Sequence, residues 1–396
     1  MRLLTFTTLY PNGAQPQHGV FVEQRLRQLV GTGKVTATVL APVPWFPSSK
    51  PMFGPYARFA GAPRRETRHG VTVFHPRYVV IPKIGINAAP SLLARGSKAC
   101  FEALRKEHGF DVVDAHYFYP DGVAAAKLTR ASGLPLIVTA RGSDINVIAQ
   151  FPRARKMILW AADQAAAVVA VSAALQAQMV RIGIPEDRIH VLRNGVDTSF
   201  FHRLPREETR LGLGVRATTL LSVGKLVEGK GHDLVVRALK SLPDAHLVIV
   251  GAGPMRRALE NLVADLDLRG RVRFAGEVSH EALREYYSAA DVLVLASARE
   301  GMPNVVLESL ACGTPVVATD VGGTAEIITH PEAGRLLKDR SSAAIAEGVR
   351  SLLERPPSPS DVRRHAEQFT WAKTTAELLA LIGEVSAVKL DTRRRA

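Results

Sequence analysis

Cysteine is nearly absent from this chain. Cys100 and Cys312 are the only two in 396 residues, too far apart in sequence for a disulfide framework or a cysteine-based zinc site. A reducing compartment suits such a composition. No apolar run approaches the roughly 18 residues that cross a bilayer. The opening stretch Met1-Arg2-Leu3-Leu4-Thr5-Phe6-Thr7-Thr8 lacks the longer apolar core and small-residue cleavage site of an export signal and reads as a strand. A soluble, cytoplasmic protein is the expectation. The twelve histidines hold no His-Glu-x-x-His or comparable ligand spacing, so no metal is expected. Acidic residues are scarce in the first half only: residues 1–198 carry 12 Asp/Glu against 24 Lys/Arg, residues 199–396 carry 25 against 27. Of the net charge of +14, +12 therefore lies before residue 199. That half should face something anionic: a lipid surface, a nucleic acid or a phosphorylated substrate.

What is present is globular material. With 46% hydrophobic and 22% charged residues the chain has enough apolar surface for a large core, and its length predicts two domains. Strand-like runs alternate with helical patterns, an α/β signature. Leu3–Thr8, Val35–Ala41, Val71–Phe74, Val112–Ala115, Leu136–Thr139 and Val168–Val171 read as buried strands. Arg193-Asn194-Gly195-Val196-Asp197 reads as a turn between units. A second series follows with Thr219–Val223, Leu247–Val250, Val272–Phe274, Val292–Leu295 and Pro315–Thr319. Two such series predict two Rossmann-like domains with a cleft between them.

The most informative stretch is Glu300-Gly301-Met302-Pro303-Asn304-Val305-Val306-Leu307-Glu308, just after a predicted strand. Gly301 and Pro303 make a turn, and Asn304 should cap a helix running to Cys312. A helix start at the carboxyl end of a parallel strand offers N–H groups and positive dipole to a phosphate. Two flanking acids suit hydroxyls of sugars attached to that phosphate. Alternatively, this is a capped surface helix with two solvated glutamates. A second segment, Gly224-Lys225 through Lys230-Gly231-His232, also follows a strand. Gly224 lets the backbone approach a ligand, and the two lysines can converge on one anion.

Glu300 and Glu308, Lys225 and Lys230, Arg193–Asp197 and Gly322-Gly323 with Glu326 together resemble the nucleotide-sugar glycosyltransferases of family 4. The likeness extends over essentially the whole chain. The family's retaining enzymes have the GT-B fold, in which two Rossmann-like domains face each other across a cleft and the last helix crosses back to the N-domain. The resemblance implies an acceptor-side domain at 1–198, a nucleotide-sugar domain at 199–370, and a returning helix with a basic tail at 371–396. It implies that Lys225 and Lys230 hold the diphosphate, Glu300 the transferred sugar and Glu308 the ribose. Gly19, Gly224 and the amides of Asn304, Val305 and Val306 would flank the phosphates, with Gly276 and Val278 beside the base. No cofactor is implied beyond the sugar nucleotide itself. Many members carry His-Gly-x-Asp after the strand matching Leu136–Thr139; this chain has Arg141-Gly142-Ser143-Asp144. An arginine can bind phosphate or sugar oxygens but cannot act as a neutral imidazole would. His116, Tyr117, Asp121 and Asp144 fall in loops that resemble the acceptor side, where His116 either faces the cleft or is structural.

The resemblance thus implies a metal-independent hexosyltransferase acting on a polysaccharide or lipid-linked saccharide. The Tyr10-Pro11-Asn12 and Gly19–Leu26 segments and the Arg-Gly-Ser-Asp variant resemble members from bacterial exopolysaccharide and teichuronic-type cell-wall pathways. Two alternatives stay open: a catalytically weak sugar-nucleotide-binding subunit of a polysaccharide assembly system, and a sugar-nucleotide epimerase. Asp265-Leu266-Asp267 mimics a metal-binding Asp-x-Asp but falls in a helical pattern, where it is expected to be solvated. No Gly-x-Gly-x-x-Gly follows a first strand, against a nicotinamide enzyme, and no nucleic-acid-binding motif accompanies the basic half. Ser91–His108 and Arg153–Trp160 mix basic and apolar residues. Each is either a helix docking at the inner face of the plasma membrane or an ordinary solvated helix with a buried stripe.

Overall fold

A computed structural model describes residues 1–50, 52, 55–81, 85–215 and 217–395. It divides into two compact units, Met1–Arg193 with Ala372–Ala396, and Asn194–Trp371. The turn expected at Arg193–Asp197 spans this division, and the boundary falls five residues before the expected 198/199.

The first unit is built on β1 (Arg2–Phe6), β2 (Thr36–Leu40), β4 (Arg65–Arg68), β5 (Val71–Phe74), β7 (Val112–His116), β8 (Leu136–Ala140), β9 (Ala167–Ala170) and β10 (Ile189–Val191). A separate two-stranded ladder joins β3 (Val43–Pro44) to β6 (Arg77–Tyr78). The main sheet runs β10-β9-β8-β7-β1-β2-β5-β4, parallel throughout except for β4, which pairs antiparallel with β5 at one edge. Every residue of β7, β8 and β9 is buried, which explains why these strands read as continuous apolar runs rather than alternating ones. Helix Val20–Gly31 supplies Val22, Leu26 and Leu29 to the core on one face, and the final helix Trp371–Arg395 adds Leu378, Leu381, Ile382 and Val385. That final helix thus packs as part of the first unit.

The second unit contains β11 (Thr218–Val223), β12 (Ala245–Val250), β13 (Val272–Gly276), β14 (Val292–Leu295), β15 (Val316–Thr319) and β16 (Gly334–Leu337). They form a fully parallel sheet in the order β13-β12-β11-β14-β15-β16. Both sheets reverse direction once: between β1 and β7 in the first unit, and between β11 and β14 in the second. At such a reversal the loops leaving neighbouring strands diverge and open a crevice beyond the carboxyl ends. Most of the segments singled out in the sequence follow these four strands and β8 beside β7, while Gly276 and Val278 lie at the end of β13 and Gly322-Gly323 follow β15.

The two helices read either as lipid-docking or as ordinary solvated helices place part of their apolar residues in the core. Leu93, Phe101 and Leu104 of helix Ala89–His108 are buried, as is Ile158 of helix Pro152–Gln164. Lys127 lies over the Trp160 ring at 5.5 Å. Arg95, Lys98, Lys106, Arg153 and Lys156 stay exposed, as on any amphipathic helix.

Candidate functional site

In the second unit, β11 ends at Val223 and the chain turns through Gly224 into an exposed Lys225. Lys230 closes a short 3₁₀ turn, Glu228–Lys230, and its Nζ donates to Glu300 Oε1 at 2.6 Å. The lysine expected on a diphosphate and the acid expected on a sugar are therefore an ion pair, one from the loop after β11 and one from the loop after β14. Beneath that lysine loop, His232 Nδ1 bonds Ser222 Oγ at 2.9 Å. Burial pushes His232 down to about 4, so a neutral imidazole supports the loop.

Helix Asn304–Ala311 starts where the crevice lies, but Asn304 does not cap it. The cap position is Pro303, and Asn304 is the first helical residue, its Oδ1 accepting from Asn194 Nδ2 at 2.9 Å. Val306 N–H already donates to Pro303 O at 3.1 Å, so of the three expected phosphate amides only those of Asn304 and Val305 lack a backbone acceptor among the described residues. Glu308 is buried, with both carboxylate oxygens engaged: Tyr287 Oη donates to Oε2 at 2.8 Å, and His280 Nε2 stands 3.3 Å from Oε1. His280 is stacked on Phe200 with centroids 5.7 Å apart and meets Phe201 edge-on at 4.9 Å. Sequence reasoning missed Tyr287, His280 and the two phenylalanines. Burial and the Glu308 charge raise Tyr287 far above the ordinary phenol range, keeping it a donor. Gly276 closes β13 and Val278 follows it, both half-buried.

In the first unit, the loops after β1, β7 and β8 are tied together by two buried aspartates. Asp144 accepts the amides of Phe118 at 2.6 Å, Gly142 at 2.8 Å and Arg141 at 3.1 Å. Asp121 accepts from Thr8 N at 2.5 Å, Thr8 Oγ1 at 3.0 Å and Thr7 Oγ1 at 3.2 Å. Both were expected on the acceptor side; fully buried, they hold loops in place rather than face a substrate. His116 is likewise buried and structural. Its Nε2 lies 3.1 Å from Asp114 Oδ2, and its Nδ1 lies 2.7 Å from Arg141 Nη2. Burial lowers His116 to about 4. Against the upward push of burial, the groups around Asp114 hold its carboxyl at about 2. Arg141 is lowered to about 9 by burial and by Arg25, which still leaves it charged at neutrality, and its guanidinium lies 5.1 Å from the Phe21 ring centroid. Tyr117 Oη shares a 2.8 Å hydrogen bond with Ser143 Oγ, and its φ of 79° marks a sharp turn out of β7. Gly19 precedes helix Val20–Gly31 at φ 73°, where an added Cβ would stand 2.3 Å from the Leu9 carbonyl, so only glycine fits.

Asp265 ends helix Arg256–Asp265 and Asp267 lies beyond it, and among the described residues no three His, Cys, Asp or Glu side chains group as metal ligands.

Residues 34–200 match the family Glycosyltransferase Family 4, and residues 206–369 match Glycosyl transferases group 1. A Bacillus subtilis protein named as a teichuronic acid biosynthesis glycosyltransferase is 32% identical over 359 residues, covering 88% of each chain. Sucrose-phosphate synthase from Thermosynechococcus elongatus superposes with a TM-score of 0.82 at 20% identity, over 98% of this chain and 99% of that one. Anabaena HepE, solved with UDP and glucose, superposes with a TM-score of 0.75 at 21% identity, over 97% and 99%. These neighbours give both units the GT-B fold.

Proposed function

Because the chain belongs to glycosyltransferase family 4, we propose that it moves a hexosyl unit from a nucleoside-diphosphate sugar, with retention and without a metal, to a polysaccharide or lipid-linked saccharide. The observation that carries this reading is the convergence of Lys230 and Glu300 at 2.6 Å beside the start of helix Asn304–Ala311, with Glu308 held by two donors on the same helix. Cleaving a sugar–phosphate bond through an oxocarbenium-like state builds negative charge on the leaving diphosphate. Lys225, Lys230 and the amides of Asn304 and Val305 are the fixed positive groups that would meet it, and preorganised groups of this kind lower such barriers most. Glu300 takes a hydroxyl of the transferred sugar and orients Lys230. Glu308, its carboxylate already aimed by Tyr287 and His280, takes the ribose diol. Arg141 is assigned to phosphate or sugar oxygens. The UDP held by HepE makes a uridine donor the first to try.

The test is a panel of UDP-, GDP-, ADP- and TDP-sugars with EDTA present, followed by thermal shift and by release of free nucleoside diphosphate. One donor should raise the melting temperature and be slowly hydrolysed, and the Lys225→Ala/Lys230→Ala variant should lose that turnover. Binding without hydrolysis or transfer to membrane-lipid extracts would favour a binding subunit instead. Conversion of the donor sugar with no acceptor present would mark an epimerase. Absence of binding by every donor would overturn the reading.

A further inference from the structure

Eleven large apolar side chains are exposed among the described residues, and six of them fall between residues 45 and 86. Five of the six are neighbours in the fold. Trp45 N–H donates to Tyr78 O at 2.7 Å along the β3–β6 ladder, which sets Trp45 beside the run Val79-Val80-Ile81. Gly85 N–H returns to Ile81 O at 3.0 Å, bringing Ile86 back to that run. These five side chains are 38–56% exposed, although single-chain proteins rarely leave so many large apolar groups together in water.

The charge around them is one-sided. Residues 45–98 contain nine Lys/Arg and a single acid, Glu66. Glu66 is itself paired, to His75 at 2.7 Å. Lys50, Arg58, Arg64, Arg65, Arg95 and Lys98 are all exposed, and none takes part in an ion pair among the described residues. Arg95 is next to Gly96, whose backbone packs directly on Tyr78, so this helix brings its cations alongside the apolar run. Large exposed apolar groups in a stretch of chain with uncompensated cations, some of them alongside, fit one kind of partner: a surface that is apolar inside and anionic at its face.

We infer that the Trp45, Val79–Ile81 and Ile86 surface of the first unit docks on an anionic lipid membrane. It adjoins the site: Tyr119 Oη donates to Ile86 O, and Tyr119 belongs to the loop after β7 that Asp144 tethers at Phe118. A membrane on this face would lie next to the loops expected to receive the acceptor. The inference rests on the lipid-linked acceptor reading only in that respect, because docking needs neither donor nor turnover.

The test uses the full chain with vesicles of phosphatidylcholine alone or mixed equally with phosphatidylglycerol. Co-sedimentation is expected with the anionic vesicles only, weakening as salt is raised. Val80→Asp/Ile81→Asp should weaken it at least tenfold while leaving the melting temperature and donor hydrolysis unchanged. Should that variant melt early, Val80→Ser/Ile81→Ser replaces it. No sedimentation with anionic vesicles would overturn the inference, as would sedimentation undiminished in both variants. A wild-type dimer that becomes monomeric in the variants, without vesicle binding, would reassign the surface to contact between copies of the chain. Loss of docking with hydrolysis intact, or the converse, separates this inference from the proposed activity.

Discussion

Arg141 Nη2 donates to His116 Nδ1 at 2.7 Å, and that single contact fixes the protonation of the whole buried chain behind it. A guanidinium has only donors, so Nδ1 must be the bare nitrogen, and Nε2 carries the hydrogen toward Asp114 Oδ2 at 3.1 Å. Where the resemblance led one to expect a histidine this chain has Arg141, and His116 at the end of β7 holds that arginine. If Arg141 acts on the donor through a fixed fork, Arg141→Lys should lower kcat at least tenfold, since a point charge on a flexible stem does not reproduce the geometry. His116→Leu should cost about tenfold, one decade per ~1.4 kcal/mol of barrier, while His116→Gln, which keeps an acceptor, should recover most of it. In an Arg141→Ala background His116→Leu should cost nothing further. Steady-state release of nucleoside diphosphate measures all four, and additive losses would show that the two residues act separately.

The Lys230–Glu300 pair makes a different prediction. If Lys230 meets the leaving diphosphate as proposed, Lys230→Ala should reduce kcat by roughly 10²–10³, the size seen when one preorganised donor is lost. Glu300→Gln keeps shape and an acceptor oxygen but removes the negative charge 2.6 Å from Lys230. It should raise KM for the donor by less than it lowers kcat. Initial rates across donor concentration separate the two effects. An effect on KM alone would place Glu300 in uniform binding rather than in the chemistry.

Tyr287 is buried, and its hydroxyl satisfies a buried carboxylate. Tyr287→Phe leaves Glu308 Oε2 without that donor, a loss of about 2 kcal/mol for a bond to a charged group. In a unit of this size that corresponds to roughly 4–8 °C in melting temperature. The nucleoside diphosphate alone, with no sugar, should bind several-fold more weakly. Calorimetric titration and thermal unfolding on the same preparation check both, and unchanged nucleotide affinity would remove Glu308 from the ribose.

Much of this arrangement was legible in the sequence, because parallel strands covered on both faces leave apolar runs and ligand loops follow their carboxyl ends. All eleven strands expected from such runs are present. The short ladder β3–β6, the edge strands β4 and β16, and β10 were not read, since a strand of two to four residues with polar neighbours has no distinctive pattern. Asp121 and Asp144 looked like acceptor ligands because an aspartate in a polar Gly-rich motif has the same sequence whether it faces a sugar or a row of amides. Tyr287 and His280 could not be found because they reach Glu308 from another helix, 21 and 28 residues earlier. Arg25 is buried on helix Val20–Gly31, and its guanidinium nitrogens have no hydrogen-bond partner among the described residues.

Gly322 shows what a glycine in the resemblance does physically. At φ 54° an added Cβ would lie 2.1 Å from Glu300 O, and Gly323 N–H donates to Gly301 O at 2.9 Å. The loop after β15 therefore buttresses the loop that carries Glu300. Gly322→Ala must push that carbonyl away, so turnover should fall at least tenfold. The melting temperature should drop as well, because both strain and overpacking destabilise. Gly270→Ala, with open space around its Cβ position, is the matched control and should change neither.

Asp121 gives a pH dependence of known sign. Burial raises its carboxyl from 3.8 to about 7, only partly offset by the donors of Thr8 and Thr7. Between these values the native protein holds a proton that the unfolded chain has released. Stability from this group is therefore greatest below pH 4 and declines as pH rises to 7, by about 4 kcal/mol at roughly 1.4 kcal/mol per unit. His116 and His232, both pushed down to about 4 chiefly by burial, act oppositely, weakening the fold as pH falls from 6.5 toward 4. They are common to the wild type and to Asp121→Asn and cancel in the difference. The melting temperature of Asp121→Asn should therefore gain on the wild type steadily from pH 4 to 7 and level off above it. A difference that does not change with pH would mean that Asp121 is ionised throughout, and that its hydrogen bonds from Thr7 and Thr8 outweigh its burial.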